Sequence, residues 1–155
     1  MASAYNDGLR LLAGRDLSVA ECRARLVVRG HAAGDVEVAV QQLLEEGSLN
    51  DERVARAYAR TAIDVKGRGR LRIARELSEK GIARDVIAAA LAEVFGDVDE
   101  RSLIARAIQK KLRGRPRPST TSDFGRLYQY LMRQGFSPAA VSAELRKVRG
   151  QRDDE

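Results

Sequence analysis

The sequence has no tryptophan, one cysteine, one histidine, three prolines and only 5% aromatic residues. Each shortage removes a class of protein. A single thiol, Cys22, closes no internal disulfide and builds no cysteine-rich zinc site; it falls on an apolar-periodic position and reads as a small core residue in a reducing compartment. A lone histidine, His31, leaves no His/Cys/Asp cluster with metal-ligand spacing and few groups that could be tuned for acid–base chemistry. Scarce aromatics and the absence of sustained period-two alternation give β-strands little support. The longest run without a charged residue, Gln134 to Ala143, is ten residues, well short of the ~20 that a bilayer-spanning helix needs. The opening Met1-Ala-Ser-Ala-Tyr-Asn6 lacks the basic and apolar regions of a signal peptide. Gly67-Arg-Gly69 matches neither the dinucleotide-binding nor the P-loop glycine pattern, and no strand leads into it. The expectation is a soluble, cytoplasmic, monomeric protein that is not an enzyme and needs no cofactor or metal.

What is abundant is positive charge and helical periodicity. The 155 residues carry 28 Lys+Arg against 22 Asp+Glu, a formal +6, with 44% hydrophobic residues, enough for a core. The excess is graded along the chain. Residues 1–51 hold 5 cations against 8 acids (net −3), residues 52–100 hold 10 against 9 (+1), and residues 101–155 hold 13 against 5 (+8). Two stretches contain no acid at all: Lys66 to Arg75, with Lys66, Arg68, Arg70, Arg72 and Arg75, and Arg101 to Arg117, which includes Lys110, Lys111, Arg113, Arg115 and Arg117. These are the two candidate binding patches for anionic partners, nucleic-acid phosphates or acidic protein surface; a solvated helix face is the alternative for any single arginine.

One pattern recurs three times. Leu26-Val-Val-Arg-Gly30, Leu77-Ser-Glu-Lys-Gly81 and Leu131-Met-Arg-Gln-Gly135 each place a leucine four residues before a glycine. Around them Cys22, Ile73 and Leu127 precede the glycine by eight residues, His31, Ile82 and Phe136 follow it by one, and Val36, Ile87 and Val141 by six; Val40, Leu91 and Leu145 follow by ten. The spacing makes one helix face before the glycine and another after it, with the glycine supplying a left-handed helix end. A third apolar stripe precedes each pair: Tyr5, Leu9 and Leu12, then Val54, Tyr58 and Val65, then Leu103, Ala107 and Ile108. The predicted fold is all-α, three tandem three-helix repeats (1–51, 52–100, 101–150) forming an elongated, curved helical array, with 151–155 a disordered tail.

Caps follow the same division. Ser18-Val-Ala-Glu21 is a capping box, Asn50-Asp-Glu52 opens a helix, and Ser137-Pro138 pairs an N-cap with proline at the first helical position. Ala32 and Ala83 offer no comparable cap. Gly114 to Ser122, with two prolines, is expected as an exposed, mobile loop, Glu76 and Lys80 as a surface ion pair, and His31 as a structural residue near a helix end.

The ordered set Asn50-Asp-Glu-Arg-Val-Ala55, then Lys66-Gly-Arg-Gly-Arg-Leu-Arg-Ile-Ala-Arg-Glu-Leu-Ser-Glu-Lys-Gly-Ile82, resembles the RecX regulators of RecA recombinase. The similarity covers about residues 5–149 and includes the opening leucine-rich helix, Ser-x-x-Glu and the late Leu-x-x-x-Gly-Phe; Arg70 stands where the family often has proline. The resemblance implies a mainly negative regulator that lies along the groove of RecA filaments on single-stranded DNA and limits filament growth, ATPase, strand exchange and co-protease activity. Weak direct DNA binding is compatible with that. The competing expectation is an autonomous DNA-binding protein built on helix-turn-helix-like units; a metal-dependent nuclease has the least support.

Overall fold

Leu26, Leu77 and Leu131 are each fully buried, and the glycine four residues after each has a positive φ (91° at Gly30, 78° at Gly81, 96° at Gly135). The hydrogen bonds there repeat with the sequence. Gly30, Gly81 and Gly135 N–H donate to the carbonyls of Val27, Ser78 and Met132 at 2.9, 2.9 and 3.0 Å, while His31, Ile82 and Phe136 N–H reach back to Leu26, Leu77 and Leu131 at 3.3, 3.3 and 3.4 Å. This is the Schellman helix end, in which the left-handed residue turns the chain and the residue after it closes over the last turn. Ile82 and Phe136 are buried in that role, and His31 is half-buried.

The computed structural model describes residues 2–153, with side chains through 151. Among the described residues there are nine α-helices and no strand: α1 (Ala4–Gly14), α2 (Val19–Val28), α3 (Ala33–Glu45), α4 (Asp51–Asp64), α5 (Arg70–Glu79), α6 (Arg84–Phe95), α7 (Glu100–Leu112), α8 (Thr121–Gln134) and α9 (Pro138–Asp153). The all-α repeat of helix trios is therefore what the chain adopts. By compactness the chain groups into two units, Met1–Tyr58 with Glu76–Ala90 and Ala59–Arg75 with Leu91–Glu155, so that α4, α5 and α6 are each divided between them. Three residues of the expected tail, 151–153, lie within α9; the last two fall outside the described residues.

In the first unit α1, α2 and α3 pack on one another around Leu17, Cys22, Leu26, Val36, Val40 and Leu43, joined by Leu49. The Ser18 capping box forms as its sequence requires, and Asn50 Oδ1 accepts the Arg53 N–H to open α4. Asp51 Oδ1 also accepts the Val19 N–H at 2.9 Å, tying the start of α4 to the start of α2. Burial pushes the Cys22 thiol up, consistent with a core role. In the second unit α7, α8 and α9 pack on one another, and Ile104, Leu131, Phe136 and Val141 are fully buried. Ser137 precedes Pro138 as anticipated, but both its N–H and its hydroxyl bond Glu100, at 2.9 and 3.1 Å.

Several apolar expectations fail for identifiable reasons. Leu9 is 37% exposed, because the buried residues of α1 are Ala4, Asp7 and Gly8. Asp7 is tolerated there because His31 Nε2 lies 2.6 Å from its Oδ2, with Arg29 and Arg10 each 3.6 Å away. Val65 is 66% exposed because α4 has already ended at Asp64. The Glu76–Lys80 surface pair gives way to other contacts: Glu76 accepts the Tyr58 hydroxyl, while Lys80 Nζ lies 3.7 Å from Glu21 and over the Tyr58 ring. The Gly114–Ser122 stretch is exposed except at Pro118, which is buried.

Two measurements check this account. An alanine in the left-handed conformation costs about 1–2 kcal/mol by itself, and at Gly30 a β-carbon meets no atom within 4 Å, whereas at Gly135 it would lie 2.4 Å from the Arg72 backbone nitrogen. Urea unfolding should therefore show Gly135→Ala to be clearly more destabilised than Gly30→Ala; equal losses would contradict the contact. Second, the His31 hydrogen bond, helped by Arg29 and Arg10, holds the Asp7 carboxyl below its usual range against the opposing effect of burial. A depressed folded pKa contributes stability that is complete above the unfolded value of about 3.9 and is lost as pH falls below it. Acid melts between roughly pH 5 and 2 should therefore have a shallower pH dependence for Asp7→Asn than for the wild type.

Candidate cationic binding surface

The first predicted patch begins in the turn between α4 and α5. Lys66, Arg70 and Arg75 are exposed, while Arg68 and Arg72 are half-buried. The backbone of this turn is held from several sides. Arg68 N–H donates to the Ala62 carbonyl at 3.0 Å, Gly69 N–H to Gln134 at 2.7 Å, and Leu71 N–H to Gly135 at 3.0 Å. A β-carbon on Gly69 would lie 2.5 Å from the Gly135 carbonyl carbon and 2.7 Å from the Phe136 nitrogen. Gly69 is therefore glycine so that two backbones can touch, not to cradle a phosphate.

The same logic recurs one repeat earlier. Ser18 and Gly69 each stand twelve residues before their repeat glycine, Gly30 and Gly81. Ser18 Oγ donates to the Lys80 carbonyl at 2.6 Å, as Gly69 N–H donates to Gln134; both carbonyls belong to the residue before a repeat glycine. Unpaired carbonyls at the end of one helix are thus met by donors at the start of another.

These contacts divide the five residues of the patch by role. Arg72 Nη1 reaches the Arg133 carbonyl at 3.4 Å, so Arg72 helps hold the end of α8. Arg70 lies over the Phe95 ring, 4.9 Å from its centroid, and opens α5 at the position where a proline is also accommodated, since the backbone N–H there has no intrahelical acceptor. Lys66, Arg70 and Arg75 form the outward-facing part.

The second patch lies at the end of α7 and in the following loop. Lys110, Arg113, Arg115 and Arg117 are exposed, and Lys111 is half-buried with its ammonium 4.5 Å above the Tyr130 ring. Lys110 and Lys111 also complement the negative end of the α7 dipole. Lys111, Arg115 and Arg117 line a cleft of about 920 Å³ against α8, which adds Arg126 and Arg133; Lys110 and Arg113 are not among its lining residues. Arg126 and Arg133 escaped the sequence reading because each stands alone among neutral neighbours. Their spacing of seven residues, with Tyr130 between, was the available signal, since it places them on one helix face.

The α8 start beside this cleft is capped by a box that the sequence reading also missed. Thr120 Oγ1 accepts the Asp123 N–H, and the Asp123 carboxylate accepts the Ser119 and Thr120 N–H groups and the Arg126 guanidinium, the last at 2.8 Å. Those backbone donors hold the Asp123 carboxyl far below its usual range, so it remains an anion. Among the described residues no group of three or more His, Cys, Asp or Glu side chains is placed to hold a metal ion, and no helix is long and apolar enough to cross a membrane.

Fold and surface together define a class: a protein of serial three-helix repeats with a largely aliphatic interior and two exposed clusters of guanidinium and ammonium groups. Known proteins narrow this. Residues 50–91 match the family model described as RecX, second three-helix domain. The chain is 36% identical to a regulatory protein RecX of Halorhodospira halophila over 136 residues, covering 87% of this chain and 81% of that one. To a regulatory protein RecX of Vibrio vulnificus it is 32% identical, covering 88% and 87%. A crystal structure of RecX from Lactobacillus salivarius shares the fold with a TM-score of 0.79 at 20% identity, covering 94% of each chain. The chain belongs to the RecX family of regulatory proteins.

The glycine assignment is directly testable. Gly69→Ala must part the α5 start from the end of α8 and should lower the thermal midpoint; Gly67→Ala adds a β-carbon that meets nothing within 4 Å and faces only the cost of its left-handed φ of 62°. A phosphate-cradling role would instead leave Gly69→Ala near wild-type stability and impair only anion binding.

Proposed function

We propose that this protein regulates RecA recombinase, mainly negatively, by binding along the groove of RecA filaments on single-stranded DNA and limiting filament growth, ATPase, strand exchange and co-protease activity. The observation that carries the reading is membership of a family whose proteins are called regulatory proteins RecX, joined to a charge distribution that runs from −3 over residues 1–51 to +8 over residues 101–155. Stretches 1–51, 52–100 and 101–150 act as serial binding units. Contacts repeated along a chain gain by effective concentration when they engage successive subunits of a polymer. The protein acts as a cytoplasmic monomer without catalysis of its own. Lys66, Arg70 and Arg75 provide one contact surface, and Arg113, Arg115 and Arg117 with Lys110 and Lys111 a second.

The test pairs co-sedimentation with a RecA ATPase assay. Reversing Lys66, Arg70 and Arg75 to glutamate, or Arg113, Arg115 and Arg117 to glutamate, should weaken filament binding about tenfold or more while thermal melting stays cooperative. Inhibition of the ATPase at wild-type concentrations by both variants would overturn the assignment of the patches. Binding to DNA alone as tight as to RecA filaments, with affinity falling steeply as salt rises, would replace this reading with an autonomous DNA-binding protein.

A further inference from the structure

We propose that the cleft between the loop after α7 and helix α8 is a docking site for an acidic, leucine-bearing peptide segment of a partner protein. The cleft has a volume of about 920 Å³, within the range of roughly 300–1,000 Å³ typical of ligand sites. Its deep wall is apolar: Pro118 and Leu127 are buried and Leu112 is half-buried. Its cations are Lys111, Arg115, Arg117, Arg126 and Arg133, against one acid, Asp123. That acid is already engaged by the Ser119 and Thr120 N–H groups and by Arg126, so it holds the α8 start and orients a guanidinium. Guanidinium groups bind carboxylates through paired N–H donors, and Pro116 and Pro118 restrict the loop that presents Arg115 and Arg117, which reduces the ordering cost of binding.

The same residues disfavour a nucleic acid as occupant. Single strands gain affinity by stacking bases on exposed aromatic faces. Among the described lining residues the one aromatic ring is Tyr130, and the Lys111 ammonium already sits 4.5 Å above it. An apolar wall ringed by guanidinium groups offers more to a leucine flanked by carboxylates than to a base. Lys111, Arg115 and Arg117 also belong to the second contact surface of the proposed function, and a peptide assay that contains no RecA tests what the cleft accepts separately from that reading.

The experiment is fluorescence polarisation with the full chain and three labelled probes: a short peptide of aspartates and glutamates interrupted by leucines, the same peptide with serine in place of leucine, and an oligothymidylate of equal charge. Two variants accompany the wild type. Arg126→Glu with Arg133→Glu reverses exposed charges on α8. Gly125→Leu alters no charge, since Gly125 lines the cleft in open space, with no atom within 4 Å of an added β-carbon, and leucine favours the helix. The leucine peptide should bind most tightly, weaken about tenfold with the double reversal, and weaken several-fold with Gly125→Leu at a melting temperature no lower than that of the wild type. Oligothymidylate binding as tightly as the leucine peptide, equal binding of both peptides, or no binding of any peptide at physiological salt would each overturn the proposal.

Discussion

The structure depends on helix ends meeting helix starts. Every helix leaves its first N–H groups and last carbonyls without partners inside the helix, and burying such a group unpaired costs about 1–3 kcal/mol. At Gly69 and Gly135 the problem is resolved mutually, because the first N–H groups of α5 take the last carbonyls of α8. The backbones can approach this closely because neither residue has a side chain. At Ser18 and Lys80 a hydroxyl performs the same service, and that serine simultaneously caps its own helix. The turn that carries the first cationic patch is therefore built on a backbone crossing, which fixes where Lys66, Arg70 and Arg75 can point.

Electrostatics follows from the same economy of pairing. Many of the acids have internal duties: Asp7 holds His31, Glu21 and Asp123 cap helices, Asp51 ties α4 to α2, and Glu100 binds Ser137. Carboxylates held by backbone N–H groups or by a buried imidazole offer less to an approaching ligand than a formal count suggests. Within residues 101–151 the two acids are Asp123, which caps α8, and Glu144, which is buried, while the arginines of that stretch are exposed. Some arginines have structural duties, among them Arg72 at the end of α8 and Arg53, which binds Asp16 and the carbonyls of Gly47 and Ser48.

Sequence reading succeeded where the physics is local. A leucine, a glycine four residues later and a closing residue after it encode a helix end within six positions, and all three copies form the same two hydrogen bonds. Reading failed where an apolar pattern was trusted over a polar partner. Tyr5 and Leu12 of the apolar stripe of α1 pack against the core, but Leu9 is exposed and Asp7 is buried instead, because His31 twenty-four positions away satisfies it. His31 was rightly given a structural role, but its partner was not visible. Arg126 and Arg133 were missed because a cationic cleft between two segments does not require a cationic run in either.

The sequence by itself determined that this chain is helical, that it is built from trios and that its charge gathers toward one end. Those properties rest on periodicity, caps and composition, which act within a few residues. Only the tertiary structure decided that Gly69 of the Lys66–Arg75 motif serves backbone contact, that Arg72 is a brace and Arg75 a surface cation, and that α8 joins the loop after α7 in one cleft. The reason is physical. A helix end can be capped by its own neighbours in sequence, but the donor that meets the Gln134 carbonyl comes from Gly69, and a hydrogen bond between residues so far apart leaves no periodic trace in either segment.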